Sequence, residues 1–173
     1  MYRFKLKPIL AAALALAAPL ALATNGMQME GYGPIAAALG GASMAYDNGT
    51  AAVINNPATL GLMGAGARLD LALGRLGPDV SSSAGGQRAD SSGTSYVMPA
   101  FGYARRSGEL VWGLALFAQG GMGTDYGADS FLAAGSGQPV RSELGIGRLI
   151  LPLSMNVTPD LVVGGSLDYV WSN

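Results

Sequence analysis

From Ala67 onward the chain alternates apolar and polar positions with a period of two, the spacing of a β-strand whose two faces meet different surroundings. The alternation predicts five strands. The first runs from Ala67 to about Leu76, with Leu69, Leu71 and Leu73 on one face and Arg68, Asp70 and Ala72 on the other. The second covers Tyr96 to Arg105, with Val97, Phe101 and Tyr103 sharing a face. The third covers Leu110 to about Gln119, with Leu110, Trp112, Leu114 and Leu116 against Val111, Gly113, Ala115 and Phe117. The fourth, Glu143 to Met155, sets Leu149, Leu151, Leu153 and Met155 against Arg148, Ile150 and Ser154. The fifth, Leu161 to Trp171, sets Leu161, Val163, Leu167, Tyr169 and Trp171 against Val162, Gly164, Ser166 and Asp168. Pro99 and Pro152 fall inside two of these runs and cannot donate to a ladder, so each marks a bulge or a lapse of pairing.

The connections alternate in length. Residues 78–94 and 120–142 read as long exposed loops, 106–108 and 156–160 as tight turns. Residues 24–66 lack a strand pattern. They are rich in Gly and Ala, allow a helical turn or two around Leu39–Ala45, and carry turn signals at Asp47-Asn48-Gly49-Thr50 and Asn55-Asn56-Pro57-Ala58. Too few large apolar residues lie here for an independent core, so the segment is expected to pack inside something larger.

The extreme N-terminus reads as a cleavable secretory leader over 1–23. Arg3, Lys5 and Lys7 precede an Ala/Leu-rich run, and Ala21-Leu22-Ala23 fits a small-x-small cleavage site. Both lysines of the chain lie in this leader. Beyond the leader the chain holds seven Arg against eleven acidic residues, a formal charge of −4, which argues against nucleic acid as a partner. The chain has neither Cys nor His, which excludes disulfides, His or Cys metal ligands and the His-dependent nucleophilic triads. Gly41-Ala42-Ser43-Met44-Ala45 only approximates a nucleophile elbow, and Gly31-x-Gly33-x-x-Ala36 lacks the strand that should precede a dinucleotide loop. No catalytic residue, metal site or cofactor is expected.

Strands of about ten residues suit a tilted crossing of a bilayer. An apolar face opposite one of small residues and single charges suits lipid outside and a polar lumen inside, and long loops alternating with short turns suit an outer-membrane barrel. Tyr103 and Trp112 flank a turn over Arg106–Glu109 symmetrically and are expected at one height, as in an aromatic girdle. Five strands cannot close such a barrel, so the sequence reads as the front part of a longer one.

The residues Gly26-Met27-Gln28, Gly40-Gly41, Ala45, Asp47 and Asn56-Pro57-Ala58 resemble the N-terminal plug of the FadL/TodX family of outer-membrane transporters for long-chain fatty acids and hydrocarbons. Val97-Met98-Pro99-Ala100-Phe101-Gly102-Tyr103, Gly113-Leu114-Ala115-Leu116-Phe117 and Gly121-Met122-Gly123-Thr124-Asp125-Tyr126 resemble that family's second and third strands and the following loop. The resemblance implies a fourteen-stranded, all-β transmembrane barrel, with 24–66 as a hatch inside the lumen and 67–173 as its first strands. It also implies passive uptake of a hydrophobic small molecule without a cofactor, with a path past the hatch and out through the wall near the third strand.

Outer-membrane lipid and the periplasmic chaperone and barrel-assembly machinery are the further partners expected. Met27, Asn56 and Pro57 are the candidate hatch and ligand residues, and Phe131 and Leu132 are candidates to line a capture groove among the outer loops. Arg141 is singled out as a cation that could meet a carboxylate. The rival reading is a structural or adhesive outer-membrane barrel without transport.

Overall fold

The computed structural model describes Met29 and residues 31–173; the leader read over 1–23 and the candidate Met27 lie outside the described residues. All five period-two runs form strands: β1 (Ala67–Leu76), β4 (Tyr96–Ser107), β5 (Leu110–Tyr126), β6 (Val140–Thr158) and β7 (Leu161–Ser172). They pair antiparallel in the order β1-β4-β5-β6-β7. A small hairpin, β2 (Ser81–Ala84) and β3 (Gln87–Asp90), forms a separate two-stranded sheet.

The sheet puts its apolar side outward. Leu71, Leu73 and Leu167 are more than 70% exposed, and Leu69, Leu151, Leu153, Tyr169 and Trp171 share that surface. The opposite side is covered by residues 31–66. There Val53, Leu60 and Met63 meet Ala104, Val111, Ala115, Phe117 and Ile150 in one buried cluster. A soluble sandwich would bury the leucine face; here that face is left exposed, the arrangement a transmembrane barrel wall requires.

The N-terminal segment is built from short pieces. Helix α1 (Pro34–Ala38) starts on Pro34 at its first turn and ends where Gly40 and Gly41 both take positive φ, letting the Gly41 N–H donate to the Ala36 carbonyl. The helical turn therefore lies upstream of the predicted Leu39–Ala45, because Pro34 presets its start and the glycine pair its end. Two 3₁₀ helices come next, η1 (Gly49–Ile54) and η2 (Pro57–Leu62).

Three further expectations change. The polar stretch 78–94 is not an unstructured loop but carries β2 and β3, joined by Gly85-Gly86 with both φ positive, the geometry of a type I′ hairpin turn. Its strands are polar on both sides, so no apolar period announced them. The second long loop shrinks to 127–139, since β5 continues to Tyr126 and β6 begins at Val140. The β4–β5 hairpin closes on Gly108-Glu109, so Tyr103 faces Leu114 and Arg105 faces Trp112. Tyr103 and Trp112 thus meet diagonally, edge-on at 6.1 Å between centroids, rather than directly opposite.

Candidate functional site

The wall is continuous up to Pro99 and then divides. The β4–β5 ladder ends at Ala100↔Phe117, one residue before Pro99, which has no N–H to offer. Beyond that level β4 stays paired with β1 as far as Leu76↔Tyr96, while β5 stays paired with β6 as far as Tyr126↔Val140. The two halves of the wall separate there. Pro152 acts more mildly: the β5–β6 ladder lapses between Trp112↔Leu153 and Ala115↔Ile150 and resumes in the same register.

Beside the division β5 carries a bulge. Ala118 pairs with Gly147 and Gly120 with Ile146, leaving Gln119 with no partner on β6. One inserted residue exchanges the faces of everything beyond it. Val111, Ala115 and Phe117 are buried on the inner side, and past the bulge the register moves Met122 and Tyr126 to that side. A cavity of about 820 Å³ occupies the division, lined by residues of both faces, among them Leu73, Val97, Pro99, Leu116, Gly121 and Trp171.

A second cavity of about 410 Å³ lies between the hatch and the inner wall, lined mainly by apolar groups that include Met29, Tyr32, Leu76, Met98 and Phe117. Leu73, Met98, Pro99, Ala100, Phe117 and Ala118 border both cavities. Both volumes fall within the range of roughly 300–1,000 Å³ usual for small-molecule sites. A more polar cavity of about 350 Å³ adjoins Tyr32 and is lined by Ser43, Asn55 and Arg148. Arg148 is ion-paired to Asp168 across β6 and β7.

The hatch is fastened to the wall below this region. The Asp70 carboxylate accepts from the Thr50 N–H at 2.8 Å. Arg68 donates to both carboxylate oxygens of Asp47, at 2.5 and 3.0 Å, and that hydrogen-bonded guanidinium holds the Asp47 carboxyl below the usual carboxylate range. Arg106 donates to the Gly61 carbonyl at 2.5 Å and the Met63 carbonyl at 3.1 Å, and Asn156 Nδ2 donates to Gly61 at 3.0 Å. Gly102 admits the buried Thr50 against β4, where any Cβ would collide with the threonine side chain.

Asn56 and Pro57 shape the hatch. Asn56 Oδ1 accepts from the Ala58 N–H at 3.2 Å, its Nδ2 donates to the Met44 carbonyl at 2.9 Å, and Pro57 opens η2. Phe131 and Leu132 form η3 (Phe131–Ala133) in the outer loop, which packs against β3. These four line none of the three cavities described above. Arg141 is exposed and ion-paired to Glu143. Ser43 belongs to the hatch, and its hydroxyl donates to the Gly41 carbonyl at 3.2 Å. Tyr32, Met98, Phe117 and the bulge were not anticipated. Pro99 was the one sequence signal pointing at the division.

No protein-family model matches the chain. An uncharacterized protein encoded in the 5′ region of a phosphoenolpyruvate carboxykinase gene of Chlorobium limicola is 41% identical over 102 residues, 58% of this chain and 49% of that protein. Two crystal structures of the toluene transporter TodX of Pseudomonas putida match with TM-scores of 0.73 and 0.76 and identities of 35% and 36%. They cover 84% and 86% of this chain but only 36% and 37% of the transporter. The chain spans about half the length of the curated relative and little more than a third of the transporter. Sequence and fold together bear out the resemblance to the FadL/TodX family, and the solved structures it resembles are transporters rather than enzymes.

Proposed function

We propose that this chain forms part of an outer-membrane channel for passive uptake of hydrophobic small molecules, hydrocarbons or long-chain fatty acids, after export directed by its leader. The observation that carries the reading is the contiguity of the apolar chamber under the hatch with the division of the wall between β4 and β5. A ligand that water disfavours gains free energy on entering such a chamber. It can pass from there to the lipid side without crossing the polar lumen. Arg148 is already neutralised by Asp168, so a carboxylate would find no free cation there, whereas an uncharged hydrocarbon needs none. The similarity to a toluene transporter supports the same reading.

Uptake of labelled toluene and of labelled oleate by vesicles holding the intact protein tests this. Ala100 borders both cavities. Ala100→Trp should fill their junction and cut toluene uptake by about tenfold or more, the factor ~1.4 kcal/mol of added barrier produces. Folded protein that admits neither ligand faster than empty vesicles would sink the reading and return the barrel to a structural or adhesive role.

A further inference from the structure

The two parts of the hatch are held unequally. From Asp47 to Met63 it is tied to β1, β4 and β6 by the Arg68, Asp70, Arg106 and Asn156 contacts, and Val53, Leu60 and Met63 are buried against the wall. Residues 31–46 reach the wall, among the described residues, through one hydrogen bond: the Tyr32 hydroxyl donates to the Gln119 carbonyl at 2.7 Å. The tyrosine is 6% exposed, and its ring stands edge-on to Phe117 at 6.5 Å.

The acceptor is an unusual one. Gln119 is the extra residue of the β5 bulge, so it has no partner on β6, and the β4 ladder has already ended at Phe117. A buried carbonyl outside any ladder needs another donor, and leaving it bare costs free energy comparable to a lost hydrogen bond. Tyr32 supplies that donor. The hatch thereby satisfies the irregularity that borders the division of the wall. Burial pushes the Tyr32 phenol above its ordinary range, so it stays protonated and able to donate at neutral pH. Tyr32 also lines the apolar chamber and the polar cavity beside it, so a molecule filling the chamber presses on this side chain.

The geometry points to Tyr32 as a latch: its hydroxyl fastens residues 31–46 of the hatch to the β5 bulge, and breaking that bond frees the hatch start and the margin of the wall division together. This rests on the transport reading for its purpose but not for its mechanics. Tyr32 is a positioning residue that acts through the bulge, while residues 47–63 remain seated.

Amide hydrogen exchange on the intact protein in detergent or vesicles, wild type against Tyr32→Phe, tests the latch. The phenylalanine keeps the ring against Phe117 and removes only the donor. Exchange should rise by about tenfold, equivalent to ~1.4 kcal/mol, in both 31–46 and 117–121, with 49–62 unchanged, and toluene uptake should speed up. A rise confined to the hatch, or no rise in either segment, overturns the latch. Tyr32→Leu, which loses ring and donor together, should exceed Tyr32→Phe only within residues 31–46; an additional rise across 49–62 would show that the whole hatch moves as one body and would also overturn it. Unchanged exchange with normal toluene uptake removes the latch and leaves the transport reading standing. Coupled exchange without uptake by the wild type does the reverse.

Discussion

Single side chains decide how the hatch sits, and the Asp47–Arg68 pair makes that seat sensitive to pH. The guanidinium lowers the folded-state pKa of Asp47 relative to the unfolded chain. The stabilisation is therefore fully present above the ordinary aspartate value of ~3.9 and is lost as pH falls through the lower folded value. Partial exposure of both side chains keeps the contribution modest. Protease protection of the hatch near Asp47 should hold from neutrality to about pH 4 and decline below that. Asp47→Asn should show weaker protection at neutral pH and no such decline. A variant with the wild-type acid profile would remove Asp47 as the cause. The sequence offered Asp47 only as a turn former, because its partner stands 21 residues away on a strand whose register was unknown.

At the scale of elements, period two made the wall legible, since one face is left exposed and apolar and the other is covered by the hatch. It failed where the period itself broke. The Gln119 bulge shifted the phase, and the glycines at 120, 121 and 123 removed the side chains that would have revealed the continuation, so half of β5 read as loop. The hatch was legible as a segment but not as a shape. Of its 3₁₀ turns, η2 starts on Pro57, whereas η1 has no proline and is placed by contacts with β1 and β4 far along the chain. Of the candidate site, Pro99 could be read, because a proline inside a strand has a fixed meaning, whereas Tyr32 could not, because its partner is a backbone carbonyl created by an irregularity. The seat of η1 makes a direct prediction. Gly102→Ala should drive a methyl group into Thr50 and destabilise the folded protein by about 1–3 kcal/mol, the usual cost of overpacking. Pairing it with Thr50→Gly should recover part of that loss. Urea unfolding of the two single variants and the double variant measures the coupling, and simple additivity would remove the contact from the account.

For the whole molecule the outward leucine surface is the governing fact. Leu151 lies near the middle of β6 on that surface, opposite Leu167 of β7 and within the lapse of the β5–β6 ladder. Leu151→Arg should cost roughly 2–4 kcal/mol if it sits near the bilayer midplane. The same change at an outward position near the short turns, Val157, should cost about 0–1 kcal/mol. Equal costs at both depths, read from refolding into lipid vesicles, would mean that the face does not meet a bilayer. The strands themselves also report depth. β5 spans 17 residues and β6 spans 19, beyond the 9–11 that cross the hydrocarbon. In a bilayer this hairpin would therefore stand clear of the hydrocarbon on the side of the long loops.

The seating of η2 against β7 carries one more consequence. Gly61 lies under Val162 and Ala58 against Gly164, while η1 touches β1 and β4. The same short segment thus reaches the first and the last strands of the sheet. Because it bridges them, a change in the width of this N-terminal piece is expected to alter how tightly the five strands curl around it. Enlarging the plug would then change the bore of the cylinder rather than only blocking it.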